Sequence, residues 1–400
     1  MYDVIIVGAR CAGSPLARLL ARSGAKVLLV DRATFPSDIP HGHFIHRHGP
    51  RRLQAWGLLD RVAKVCTPVT EQLIDFGDFP LVARDLEAGG VAWGYGPRRS
   101  VLDKILVDAA VECGAELREG VAVEEFLFDG DRVAGIRART AAGAVIEERA
   151  AITVGADGRN SRLARAVNAP VYDATPTLLC YYFSYWSGVE SRQFELYQRT
   201  KQRRVIFSFR ISDGLFAVFV GSPIEELAGI RSDIERHFMS AIDLVPDLSA
   251  RMRAGRREER FYGATDLPNF YRKPYGEGWA LVGDAGCHKD PYMALGISDA
   301  LRDADLLGAA IVDALGGRRP WQEALSGYER QRNEESAAEF RQNLSGARFD
   351  PVPADIFRVR EAVRSDPAQA TRMAKARVGM IDPREFFNPQ NLQELLGSSA

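Results

Sequence analysis

The segment Tyr2-Asp3-Val4-Ile5-Ile6-Val7-Gly8-Ala9-Arg10-Cys11-Ala12-Gly13 reads as a strand that runs directly into a glycine-rich turn. The β-branched run from Val4 to Val7 is what a parallel strand buried on both faces carries. Leu16, Leu19 and Leu20 then recur at helical spacing between Ser14 and Arg22. Gly24 ends that helix, and Lys26-Val27-Leu28-Leu29-Val30 predicts a second strand finishing on Asp31.

A strand before the glycines, a helix after them and an acid 18 residues past Gly13 together form the context of a dinucleotide site. Gly8 permits the tight turn, and Gly13 lets helix and strand pack closely. The free N–H groups and positive dipole end of the helix suit a diphosphate, and Asp31 can accept hydrogen bonds from a ribose. Cys11 and Ala12 in the turn, and Arg32 beside the acid, belong to the same candidate site. A βαβ unit without a ligand is the alternative, but an acid at that strand end has no packing role. One position departs from G-x-G-x-x-G: Arg10 stands where a glycine lets the backbone approach the pyrophosphate. Its Cβ is tolerable if φ stays negative and the side chain points away. A guanidinium curling back would instead pair with the phosphates. Both arrangements fit the sequence.

The 400 residues exceed what one hydrophobic core usually supports, so two or more packed regions are expected. With 46% hydrophobic and 26% charged residues the chain reads as soluble and globular, and a net charge of −1 provides no global field for nucleic acid or an anionic membrane. A small-molecule partner is expected. The five cysteines, Cys11, Cys66, Cys113, Cys180 and Cys287, are scattered without a C-x-x-C pair and suit a reducing cytoplasm. The N-terminal apolar run, Val4 to Val7, is far too short for a signal or membrane segment, so a cytoplasmic location is expected.

The opening unit fits NAD as well as FAD. Two later segments discriminate. Ile152-Thr153-Val154-Gly155-Ala156-Asp157-Gly158-Arg159 is another strand entering a glycine turn, followed by a helix start at Ser161-Arg162-Leu163-Ala164-Arg165. Trp279-Ala280-Leu281-Val282-Gly283-Asp284-Ala285 repeats the strand–Gly–Asp arrangement. In their order and spacing these segments resemble the FAD-dependent class A flavoprotein monooxygenase superfamily with the para-hydroxybenzoate hydroxylase-like fold. Gly8 and Gly13 match its fingerprint, Asp157-Gly158 its DG motif and Gly283-Asp284 its GD motif. The resemblance covers nearly the whole chain and implies FAD as cofactor. It also implies that Asp284 binds the ribityl chain and that the DG motif serves both FAD and nicotinamide.

Further residues match the same superfamily. The stretch from Gly286 to Ser298 resembles its flavin-facing loop, with Pro291, Gly296 and Ile297 at matching positions and Met293 in place of a smaller residue. A helix is predicted from about Ile297 to Leu315, its N-terminus toward the flavin N1–C2=O locus, a stabilisation of up to about 2 kcal/mol for the reduced flavin. Arg99, in Arg98-Arg99-Ser100-Val101-Leu102-Asp103, matches an arginine that touches FAD, whereas Arg98 reads equally well as part of a solvated turn. Val123 matches a position where adenine rests against backbone.

The implied fold is α/β: a Rossmann-like FAD-binding domain of the glutathione-reductase type, an inserted antiparallel β-sheet substrate domain and a C-terminal helical region. Residues 1–70, 97–167 and 262–335 are assigned to the discontinuous FAD-binding domain, 71–96 and 168–261 to the substrate domain, and 336–400 to a C-terminal helical cap. The insert shows aromatic and β-branched runs from Leu178 to Val220, with Ser212-Asp213-Gly214 where a hairpin turn is expected. Helix is predicted from about Ile224 to Arg253 and from Trp321 to Leu344.

The chemistry implied by the resemblance is NAD(P)H-driven reduction of FAD, reaction with O₂ to a flavin C4a-hydroperoxide, and hydroxylation of an electron-rich aromatic or polyketide-like molecule of secondary metabolism. A second glycine unit for NAD(P)H is absent. His41, His43, His46 and His48 fall within eight residues. His43 and His46 are taken as cofactor- or substrate-facing groups able to move protons, with a solvated histidine-rich loop as the alternative. Metal binding is not assigned, because no Cys or carboxylate partner stands nearby in sequence. Tyr181, Tyr182, Tyr185, Trp186, Phe207, Phe209 and Phe219 are candidates to line the substrate sheet, about half of them pointing away by strand alternation. Reductase, halogenase and non-catalytic flavin-binding activities are the alternatives. The absence of W-x-W-x-I-P counts against a halogenase. The sequence does not indicate an oligomeric state.

Overall fold

The computed structural model describes residues 1–39, 42–191 and 194–397, so His41 lies outside the described residues. The chain divides into two compact units, Met1–Gly42 with Arg98–Pro176 and Pro268–Leu344, and His43–Pro97 with Thr177–Leu267 and Ser345–Ala400.

In the first unit the opening strand Tyr2–Val7 lies between Val27–Val30 and the end of Val145–Gly155, parallel to both. Trp279–Leu281 and Glu116–Arg118 extend the parallel sheet on either side. Val4, Ile5 and Ile6 are fully buried, as the β-branched run implies. The first half of Val145–Gly155 instead pairs antiparallel with Arg132–Thr140, which pairs with Val121–Asp129. The helix Gly13–Arg22 packs against Arg99–Glu112 and Gly296–Leu315.

Close approach of this helix to the sheet depends on two glycines. Gly8 has φ +107, which only glycine adopts without strain. A Cβ at Gly13 would lie 1.8 Å from the Gly8 carbonyl oxygen. Gly13→Ala should therefore force helix from strand and cost roughly 3 kcal/mol, read as a lowered midpoint in urea unfolding.

The second unit is built on a sheet in the order Arg256–Arg257, Leu179–Ser187, Phe216–Pro223, Arg204–Arg210, Phe194–Arg199, Gln72–Asp75, Pro80–Ala83. The expectation of a wholly antiparallel sheet is corrected at one junction, where Phe194–Arg199 and Gln72–Asp75 run parallel because the latter enters from a remote segment. The turn at Ser212–Gly214 joins antiparallel strands, with Asp213 and Gly214 at φ 72 and 74. One sheet face, including Cys180, Tyr182, Trp186, Ile206, Val218 and Val220, packs on Ile230, Phe238, Leu248 and Met252. Those residues come from three helices, Leu227–Ser232, Ile234–Ile242 and Pro246–Ala254, rather than one continuous stretch. Asp233 starts the second helix by capping Arg236 N–H, and Pro246 opens the third.

Two segments group differently from the sequence expectation. Residues 43–70 join the second unit, since Ile45–His46 pairs with Gly94–Tyr95 and Val69 bridges Gly94. The C-terminal helices join it too. Val359, Val363, Met373 and Phe386 pack on Phe79 and Leu81, and buried Arg360 hydrogen-bonds Asp78 and the Phe79 carbonyl. The expected boundary at 335/336 falls inside the continuous helix Trp321–Ala347.

Burial would raise the Asp78 carboxyl, but bonds from Arg360 and from Phe79 N–H hold it below its ordinary value of 3.8. A depressed carboxyl contributes stability above that value and loses it as pH falls through the folded-state pKa. Limited proteolysis should find the C-terminal helices protected at neutral pH and increasingly cut below about pH 3.8, and Arg360→Leu should expose them already at neutral pH.

Candidate functional site: the dinucleotide cradle

The backbone N–H groups of Arg10, Cys11, Ala12 and Gly13 have no acceptor among the described residues. They cluster where the helix Gly13–Arg22 begins, and its first turn carries no acid. Four unpaired donors at a positive helix end make an anion site. Asp31 stands beside them: its carboxylate accepts from Ala9 N–H at 2.7 Å and Ala33 N–H at 2.8 Å, which fixes it at the strand end with lone pairs to spare for a ribose. Arg32 is exposed.

Arg10 keeps its φ out of the left-handed region, and its side chain turns to Asp103 Oδ2 at 2.6 Å and Ser37 Oγ at 3.0 Å. Of the two arrangements the sequence leaves open, the structure has the one with the side chain drawn off into protein contacts. Asp103, fully buried, also takes a bidentate pair from Arg99 and the Cys11 thiol at 3.3 Å. Burial disfavours the Arg99 cation, but Asp103, with Asp284 adding to it, holds its pKa above the ordinary value. Burial also pushes the Cys11 thiol far up, so it stays neutral. Arg98 pairs instead with Asp38.

The DG and GD turns belong to the same unit. Asp157 Oδ2 accepts from Arg162 N–H at 2.7 Å, and burial raises its pKa. Gly158 and Gly283 have φ +77 and +61, and a Cβ on Gly283 would lie 2.9 Å from Ala12 Cβ, so the GD turn abuts the glycine turn. The Asp284 carboxylate has no hydrogen-bonding partner among the described residues and is half-buried. Arg272 ties the two turns together by donating to the carbonyls of Arg159 and Ala285. Arg332, fully buried, donates to the Gly286 carbonyl.

The loop after Asp284 is fixed from beneath. Buried Asn269 accepts from Asp290 N–H, while buried Asn343 donates to the Asp290 carbonyl and accepts from Met293 N–H at 3.0 Å. Pro291–Met293 forms a single turn, Ala294 takes φ 53, and the helix Gly296–Leu315 begins as expected to within a residue. The N–H groups of Gly296 and Ile297 lack acceptors among the described residues, and a Cβ on Gly296 would meet nothing within 4 Å. Asp299, the acid of the first turn, is neutralised by Lys289 and Arg302. Val123 is buried in the hydrophobic cluster around Ile5 and Val7, and its carbonyl accepts from Arg162 at 2.5 Å.

His43 and His46 belong to the second unit and are 0% and 6% exposed, so the solvated-loop reading does not hold. His43 Nε2 hydrogen-bonds Tyr185 OH. His46 lies edge-on to Trp93 at 5.3 Å. Phe183, Phe207 and Phe219 stack on the same sheet face, with centroids 4.7 Å apart between neighbours, and Phe44 packs on Phe194 and Phe209. Tyr182 and Trp186 point to the helices behind, which is the alternation expected of a strand. Among the described residues no group of three or more His, Cys, Asp or Glu could hold a metal, and no helix is long and apolar enough to cross a membrane.

Residues 1–224 match the family described as FAD binding domain. The chain belongs to that family. It is an FAD-dependent oxidoreductase, and the open N–H clusters, the acid at the second strand end and an Asp284 carboxylate without a hydrogen-bonding partner among the described residues fit the cofactor. The chain is 24% identical over 403 residues to digeranylgeranylglycerophospholipid reductase of Methanothrix thermoacetophila, covering 98% of each chain. It superposes on the myxobacterial chondrochloren halogenase CndH with TM-score 0.79 and 21% identity, over 100% of this chain and 96% of that one. PqsL of Pseudomonas aeruginosa, described as a probable FAD-dependent monooxygenase, gives 0.70 and 20% over 95% and 100%. These structural likenesses concern the fold.

Asp284→Ala should lower FAD affinity about tenfold through loss of charge-assisted hydrogen bonds, and Asp31→Ala by a similar factor. Fluorescence titration of apoprotein with FAD measures both, and wild-type affinity in the two variants would contradict the site.

Proposed function

We propose that the protein is an NAD(P)H- and O₂-dependent FAD monooxygenase that hydroxylates a planar aromatic or polyketide-like small molecule. The observation carrying this reading is the buried His43–Tyr185 pair set in an aromatic sheet face. Bound FAD supplies two-electron redox chemistry and activation of oxygen at its ring. Gly8, Arg10, Cys11, Ala12, Gly13, Asp31, Arg32 and Arg99 are assigned to its ADP and diphosphate portion, with Val123 near the adenine, and Asp157, Gly283 and Asp284 to its ribityl side. Pro291, Gly296 and Ile297 are assigned to its ring. In this reading the helix end at Gly296 holds developing negative charge. The stacked phenylalanines exclude water and orient a flat ring by its face. His43 takes a proton at Nε2 by way of the Tyr185 hydroxyl, which makes a substrate hydroxyl a better electron donor to the incoming oxygen.

A second reading is reduction of an isoprenoid double bond, favoured by the similarity to a digeranylgeranylglycerophospholipid reductase along 98% of both chains. Turnover of a panel of phenolic, polyketide and prenyl compounds, with NADH or NADPH and with or without O₂, separates the two by product mass. The proposal expects a gain of one oxygen atom only when O₂ is present. A saturated product formed anaerobically would establish the reductase instead, a halide-bearing product a halogenase, and a flavin spectrum unresponsive to every compound a binding protein. Under the proposal His43→Ala and Tyr185→Phe should each slow turnover by roughly 100-fold while leaving FAD content unchanged.

A further inference from the structure

We propose that Arg10 is a clasp that retains the cofactor, a positioning residue that bridges two segments across the glycine turn rather than a direct ligand of the diphosphate. The inference rests on the FAD reading above and concerns how tightly the bound cofactor is held.

Three contacts define the clasp. Arg10 donates to Asp103 on the helix Arg99–Glu112 at 2.6 Å, donates to Ser37 at 3.0 Å, and lays its guanidinium 5.3 Å from the centre of the Phe35 ring. Ser37 and Phe35 lie on the segment that leaves Asp31, and upstream of Ser37 that segment is anchored by Phe35 N–H to Glu119 at 2.9 Å and by Gly120 N–H to the Ala33 carbonyl. Arg10 therefore joins the glycine turn to a helix on one side and to the segment after the ribose-side acid on the other. Its backbone N–H is one of the four without an acceptor, so its main chain faces the anion site while its side chain spans outward.

The electrostatics favour this division. Asp103 is a fully buried carboxylate facing two guanidinium groups, Arg10 and Arg99. Arg99 also lies within electrostatic reach of Asp284, so the guanidinium of Arg10 is committed to Asp103 and the diphosphate is left to the open N–H groups. A glycine at position 10 would leave Asp103 to Arg99 alone and release Ser37 together. The planar guanidinium can hold Asp103 and Ser37 at once, which the point charge of lysine does less well.

The test is the rate at which FAD leaves the purified holoprotein on dilution into excess apo-D-amino-acid oxidase, an FAD-specific trap whose regained activity reports the FAD taken up, for wild type, Arg10→Gly, Arg10→Lys and Ser37→Ala. The clasp predicts that Arg10→Gly, although it restores the three-glycine pattern, speeds release about tenfold or more. Ser37→Ala should speed it by a smaller factor, and Arg10→Lys should fall between Arg10→Gly and wild type. Rates are compared far below the unfolding midpoint of every variant, and Ser37→Ala, which leaves the Arg10–Asp103 pair intact, separates the clasp from a general loss of stability. Release from Arg10→Gly at the wild-type rate or slower would overturn the clasp while leaving the FAD site standing. A wild-type protein that holds no FAD would overturn the site and the clasp together.

Discussion

Four backbone N–H groups, on residues 10 to 13, have no acceptor among the described residues where the first helix starts. Such donors are costly to leave dry and unsatisfied, and the helix dipole makes an anion their best partner. The rest of the first unit follows from keeping them open and in register. Gly13 must lie against the Gly8 carbonyl, Asp31 must lock the turn through Ala9, and the GD turn must come close enough to touch Ala12. At Gly8, Gly13 and Gly283 a larger side chain would fill the space these close approaches need, which is why glycine recurs there.

Much of this was legible in the sequence because the turn residues are local and their backbone demands leave few substitutes. The opening strand, the helix and Asp31 could be read from a window of about thirty residues, and the DG and GD turns repeated the same strand–glycine pattern. Arg10 was visible as a departure, but its destination was not. Asp103 lies 93 residues away, and nothing local distinguishes it from a solvated acid in a helix. Arg272, Arg332, Asn269 and Asn343 were missed for the same reason. They act on main-chain carbonyls and N–H groups of distant loops, and such pairing leaves no periodic or compositional signal.

The second unit was legible in character more than in detail. The aromatic and β-branched runs announced a sheet, and alternation implied that some of its aromatics would face away from the others, as Tyr182 and Trp186 do from Phe183 and Tyr185. The parallel junction at Gln72–Asp75 and the docking of the C-terminal helices on Phe79 and Leu81 depend on long-range pairing, which short hydrophobic runs do not encode. The histidines show the same limit. Their crowding suggested chemistry, but burial and the His43–Tyr185 bond emerge only once Leu179–Ser187 lies beside them.

If the open N–H groups exist for the diphosphate, the ADP half of the cofactor must supply much of the binding free energy. Equilibrium titration of the apoprotein with FAD and, separately, with riboflavin isolates that contribution, because riboflavin carries the same ring and ribityl chain without the ADP. Saturation by FAD at one molecule per chain, with riboflavin bound at least about a hundredfold more weakly, is the expected result. Equal affinity for the two flavins would contradict it.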